Sequence, residues 1–223
     1  MKENVMVIAP HPDDETLGCG GTILKLKKQG KRVYWVIVTE MCSGDGFDSA
    51  KIRRRESEIK KISEFYGFNG VFRLGFPPAK LDKVQRKDIV VALAKAVKKA
   101  KPSLLFIPNG GDIHSDHRIV YDAVLSCAKT FRSPSIKKIL ACEILSETEA
   151  SKASGKRAFT PDSFNDITGF VDKKIKAMSI YSGEMGKHPF PRSARSIRSL
   201  AVLRGAMSGC EYAEAFKIIR EIW

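Results

Sequence analysis

Nowhere in this 223-residue chain do roughly 18 or more apolar residues run together, so the sequence offers no membrane-spanning helix. The early apolar run, residues 5–9, is too short for the core of a secretory signal, and polar residues follow it at once. Both absences predict a soluble, cytoplasmic protein. Cysteine is sparse: Cys19, Cys42, Cys127, Cys142 and Cys210 are odd in number and show no CxxC spacing. That argues against a disulfide framework or a structural zinc knuckle and leaves them as small buried hydrophobes. Zinc-finger, helix-turn-helix and aromatic-rich RNA-binding signatures are missing, so no nucleic-acid partner is expected. Gly18 and Gly20 follow the first strand, but the GxGxxG spacing of a dinucleotide loop is absent and the pair lies too deep in the helix. Close backbone approach to the sheet or to the preceding loop is the better reason for glycine there.

Acid is also in short supply, with 25 Asp and Glu against 39 Lys and Arg, a formal charge of +14. A field of that sign attracts anions in general, from phosphorylated sugars to acidic headgroups. The basic residues gather at positions 51–55 with Lys60 and Lys61, and again at 192–204. Such clusters suit a solvated helix face, and they also suggest an anionic substrate. Hydrophobic residues make up 43% of the chain, enough for one substantial core, and no linker divides it. One domain over residues 1–223 is expected.

The pattern alternates strand and helix. Residues 5–9, 33–39, 71–74, 104–107 and 138–145 read as buried strands, and residues 16–29, 49–66, 82–101 and 115–130 as helices. Gly30, Gly67 and Pro102 mark helix ends. The order implies an α/β fold: a Rossmann-like, mostly parallel sheet flanked by helices in three layers. Residues 146–161 read as a mobile loop, 164–170 as a late strand, and helices are expected from about 172, 194 and 212.

Histidine is the scarcest informative residue. Three of the four lie in two loops at strand ends, Pro10-His11-Pro12-Asp13-Asp14-Glu15 and His114-Ser115-Asp116-His117. Ligands of an open parallel sheet bind at the carboxyl ends of its strands, so the two loops should face each other. Two imidazoles and one carboxylate form a catalytic metal shell with a position left for water. His11, one of Asp13 and Asp14, and His117 are the candidate ligands, and the other aspartate faces the water as base. Asp13 as a helix cap is the structural alternative. His114 remains to stabilise an oxyanion or protonate a leaving amine, near a helix start capped by Ser115.

Together these motifs resemble the LmbE/PIG-L family of N-acetylglucosaminyl-type de-N-acetylases. The likeness extends to Arg53-Arg54-Arg55-Glu56 and to the late Cys210-Glu211-Tyr212-Ala213-Glu214-Ala215-Phe216 segment. It implies zinc, or another divalent ion such as iron, held by His11, Asp14 and His117. It implies Asp13 as general base, and His114 as electrophilic or acid partner oriented by Asp116. Arg53, selected by an Arg-x-x-Glu spacing to Glu56, would reach the substrate. The substrate implied is an N-acetylated amino-sugar conjugate, and the family implies homo-oligomers. His188, between Lys187 and Pro189, is a further substrate-binding candidate, while Tyr212 and Glu214 are expected to support the fold or a subunit contact.

Overall fold

The computed structural model describes residues 3–152 and 154–223. Seven strands form one sheet: β1 (Asn4–Ala9), β2 (Arg32–Thr39), β3 (Gly70–Phe76), β4 (Leu104–Ile107), β5 (Lys138–Cys142), β6 (Ser163–Asp166) and β7 (Ala213–Glu221). Their spatial order is β3-β2-β1-β4-β5-β7-β6. The first five are parallel to one another, while β7 runs antiparallel between β5 and β6. Six α-helices connect them: α1 (Asp14–Lys28), α2 (Ser49–Tyr66), α3 (Arg86–Ala100), α4 (Ser115–Cys127), α5 (Val171–Met178) and α6 (Ala194–Ser208).

Alternation along the strands builds two cores. Val5, Val7 and Ala9 of β1 join Trp35, Ile37 and Phe106 against α1, α2 and α5. Met6 and Ile8 join Val36, Val38, Leu105 and Ile107 against α3 and α4. Both faces of β1 are thus covered, which is why its sequence is apolar throughout. Each fully buried aliphatic or aromatic side chain in these layers contributes about 1.5–3 kcal/mol. Helix ends follow local chemistry: Asp48 caps α2 by accepting from Lys51 N at 2.7 Å, and Gly67 ends it at φ 61°.

α1 sits unusually close to its neighbours. A β-carbon on Gly18 would stand 2.8 Å from Cys142 Cβ, and one on Gly20 would stand 2.6 Å from the Tyr66 hydroxyl. The helix breaks at Cys19 (φ −149°, ψ 25°). The amides of Gly21 and Thr22 are there taken by Glu214 at 2.9 and 2.7 Å.

Three expectations change. The helix expected from 212 is β7, because Phe216 and its neighbours pair with β5 on one side and β6 on the other, and those non-local ladders override local helix preference. α3 starts at Arg86, since residues 81–83 form a separate 3₁₀ turn. The segment after β5 begins pinned rather than loose: Thr148 is buried, and its hydroxyl accepts from Ile144 N at 2.9 Å and donates to Asp112 Oδ1 at 2.8 Å.

Candidate active site

The strand order reverses between β1 and β4, since β2 and β3 lie to one side and β5 to the other. A crevice opens at such a switch point. The loop after β1 carries His11 to Asp14, and the loop after β4 leads to His114 and His117. Side chains 106 positions apart therefore converge. Asp14 Oδ2 lies 3.4 Å from His11 Nδ1 and 3.3 Å from His117 Nε2. Single ligand atoms of all three lie within 4.8 Å of one another.

The far side of each ring is held by a carboxylate. His11 Nε2 donates to Asp116 Oδ2 at 3.0 Å, and His117 Nδ1 donates to Asp112 Oδ2 at 2.9 Å. Those bonds fix both tautomers and leave Nδ1 of His11 and Nε2 of His117 as lone-pair donors beside Asp14. Carboxylate–imidazole pairs of this kind orient metal-ligating histidines. The donor set therefore fits a divalent cation. A second grouping, His11, His114 and Asp116, is also compact. It suits a cation less, because the Asp116 carboxylate already accepts from Ala79 N at 2.7 Å and Leu81 N at 3.3 Å.

Without a cation, protons fill the corner. Burial opposes charge on His11, but bonds to Asp116 and Asp14 outweigh it and raise its pKa to about 9. His117 is likewise raised against its burial by Asp14 and Asp112, and Asp14 is lowered against its burial by the two imidazoles. His114 moves the other way, down to about 4, through burial and the neighbouring rings of His11 and His117. Its Nδ1 accepts from Asp116 N at 3.1 Å. A neutral His114 must therefore carry its proton on Nε2.

Asp13 occupies strained backbone at φ 134°. A conformation of this kind costs roughly 1–3 kcal/mol and persists only where its surroundings impose it. Here buried Glu15 accepts the Asp13 amide at 3.1 Å, and Glu15 is itself held by Tyr181 Oη at 2.8 Å and Thr16 Oγ1 at 2.6 Å. Burial pushes the Glu15 carboxyl up to about 7. The Asp13 side chain makes no capping bond, so the helix-cap alternative is set aside. Its carboxyl lines the pocket and receives Arg192 Nη1 at 3.2 Å. Burial, then Asp14 and Glu184, hold that carboxyl well above the usual carboxylate range.

Four expected contacts fall on other residues. Arg53 is exposed and off the pocket; Arg55, two positions on and about 200° around the helix, is buried beside Ile52, Glu56 and Ile59. Its guanidinium donates to Pro12 O at 2.9 Å and to Glu184. His188 is exposed and outside the lining, and the same loop instead sends in Arg192. Asp116 turns its carboxylate to His11 rather than to the His114 ring. The cap of α4 is His114, not Ser115. Asp112, Glu147 and Glu184 belong to no sequence motif, and Arg192, which opens the basic cluster at 192–204, pairs with acids of the wall instead of standing free for an anion. Of the three acids, Asp112 alone carries a signal, as an acid in the loop leading to the second histidine pair.

The remaining wall comes from residues 39–41 after β2, 78–79 after β3 and 144–147 after β5, enclosing about 280 Å³. Among the described residues, no helix is long and apolar enough to cross a membrane.

Comparison with known proteins gives this arrangement a context. The family profile described as PIG-L, GlcNAc-PI de-N-acetylase, matches residues 6–128. Diacetylchitobiose deacetylase of Thermococcus kodakarensis is 26% identical over 231 residues, which span 99% of this chain and 85% of that protein. A probable N-acetyl-alpha-D-glucosaminyl L-malate deacetylase 2 of Bacillus cereus is 26% identical over 193 residues, covering 82% of this chain and 84% of its own. The solved N,N'-diacetylchitobiose deacetylase of Pyrococcus horikoshii superposes with a TM-score of 0.76 at 22% identity, covering 98% of this chain and 84% of that one. At that identity the superposition establishes the fold alone.

Proposed function

The chain belongs to the PIG-L family, and on that premise we propose that it removes the acetyl group from an N-acetylated amino sugar or its conjugate, releasing acetate and a free amine. The observation that carries this reading is the meeting of His11, Asp14 and His117 in one open corner, with the Asp13 carboxyl lining the same pocket from strained backbone. His11 Nδ1, Asp14 Oδ2 and His117 Nε2 would hold the cation, with Asp116 and Asp112 fixing the rings. A divalent ion in that shell, zinc or iron, would polarise the amide carbonyl and acidify water.

The chain's own groups supply the proton movements. Asp13 accepts a proton from the attacking water as its oxygen bonds to the acetyl carbon. It returns that proton to the nitrogen as the carbon–nitrogen bond breaks, so acetate and amine leave with atoms balanced. A carboxyl held above its ordinary range by burial is suited to both halves of this exchange. His114, neutral and protonated on Nε2, donates a hydrogen bond to the carbonyl oxygen as negative charge develops there. Its low pKa favours that role over delivery of a proton to the amine. Arg55 holds the carbonyl of Pro12 and so sets the loop bearing the ligands.

Acetate release from N-acetylglucosamine and N,N'-diacetylchitobiose tests the assignment, measured before and after chelation and again after zinc or iron is restored. Release that chelation abolishes and metal restores is expected. Failure of every acetamido sugar offered to the metal-loaded protein would overturn it.

A further inference from the structure

The pocket wall is far richer in acids than the chain as a whole. The chain carries +14, yet the wall presents Asp13, Asp14, Glu40, Glu56, Glu147 and Glu184, with Arg55, Arg192 and the imidazoles of His11, His114 and His117 as its basic groups. Both guanidiniums are already ion-paired with acids. Arg55 is shared between Glu184, Glu58 and the carbonyl of Pro12. Arg192 lies between Asp13 and Glu184, each at 3.2 Å. Its remaining Nε is enclosed by protein and closed to a ligand. The overall charge, which suggests an anionic substrate, is therefore a property of the outer surface and not of the pocket.

The carboxylates are compensated unequally. Arg73 bridges Glu40 and Glu56 from outside the pocket, at 2.9 Å to both oxygens of Glu40 and 2.7 Å to Glu56 Oε2. Asp13 and Glu184 have the two arginines, and Asp14 has the imidazoles. Glu147 has no ion pair among the described residues. Its one side-chain hydrogen bond is from Ser146 Oγ at 3.1 Å. Half-burial pushes its carboxyl up, and the His117 ring pulls it partly back.

Glu147 is also held in place. Its carbonyl accepts from Ile113 N at 3.0 Å and its amide donates to Ile144 O at 3.1 Å. The preceding Ser146 is kept at φ 76°, a conformation a non-glycine residue rarely adopts without being constrained. A strained, tethered turn thus presents a carboxylate without an ion pair to a cavity near the lower limit of ligand pockets, which span roughly 300–1,000 Å³. Space for about one sugar ring puts the reacting acetamide and Glu147 on the same monosaccharide or its first linkage.

We infer that this pocket selects an acetamido sugar bearing a free ammonium close to the acetamide, and that Glu147 is the residue that pairs with it. The inference rests on the deacetylase reading and adds the substrate's charge. A hydroxyl alone would leave Glu147 without an ion pair, and away from the cation corner a phosphate would meet Glu147 with both arginines already ion-paired.

Three substrates decide it with the metal-loaded enzyme: N-acetylglucosamine, N-acetylglucosamine 6-phosphate, and a chitobiose carrying one acetamide and one free amine. The expected order of kcat/KM places the amine-bearing sugar about tenfold above the neutral one, with the phosphate lowest, a step of about 1.4 kcal/mol. E147Q should bring the amine-bearing and neutral substrates together, and E147K should put the phosphate above the amine. Equal rates for all three, or an E147Q loss that is uniform across them, would overturn the selectivity while leaving the deacetylase reading intact. No acetate from any of the three would instead count against the reaction itself.

Discussion

α1 carries two buried charged clusters, one at its start and one at its break, and they are finished differently. At the break, Glu214 accepts the amides of Gly21 and Thr22 and the ammonium of Lys174, and Lys174 also donates to Leu17 O, all within 2.7–2.9 Å. Every charge there has its partners. At the start, Asp13 is strained, Asp14 is shared by two imidazoles, and three donor atoms face a common point. The first cluster serves as an internal cap for the second half of the helix. The second is left incomplete by the protein, and that incompleteness is what a cation and a substrate can fill.

The sharpest way to break this contrast is to remove the base. D13A should lower turnover by about 10²–10⁴-fold, since a positioned proton acceptor contributes that much. Elemental analysis should find its metal content unchanged, and near-normal turnover would remove Asp13 from the mechanism. At the closed cluster the effect should fall on stability. K174M leaves Glu214 buried without its cation and should cost about 3–5 kcal/mol. Urea unfolding of the metal-loaded protein would measure that loss, with kcat of the folded fraction little altered; a loss under 1 kcal/mol would show the ion pair to be dispensable.

Smaller effects probe the support behind the ligands. D112N should weaken divalent-ion binding about 10–100-fold by degrading the hold on His117, read by competition with a chromophoric chelator. Acidity should act on the same equilibrium. The metal-free His11 keeps its proton until pH rises through about 9, and a cation must displace it. Apparent metal affinity should therefore climb about tenfold per unit from pH 7 to 9 for that proton and then level off. Affinity flat across that range would mean that His11 is not a ligand.

Much of this was readable in the sequence because the informative signals are local. Continuous apolar runs gave β1, β2 and β4, and two short motifs gave the loops that carry the candidate ligands. What escaped was settled by phase or by distant pairing. Three consecutive arginines differ only in which way the turn of α2 points them, and Arg55 rather than Arg53 faces inward. β7 is a strand because β5 and β6 flank it, a fact absent from Ala213-Glu214-Ala215-Phe216 itself. Glu184, Arg192 and Glu147 belong to no motif, and their meaning comes from chain segments brought beside a loop at residue 13.

The tether from Thr148 through Asp112 to His117 has an evolutionary corollary. The turn that decorates the rim and the strut behind the candidate ligand His117 are consecutive residues. Drift at positions 145–147 would reshape what is accepted, whereas a change at 148 would also disturb the ring proposed to hold the cation. Variants retuned for new sugars should therefore tolerate wide diversity up to Glu147 and almost none one step further along.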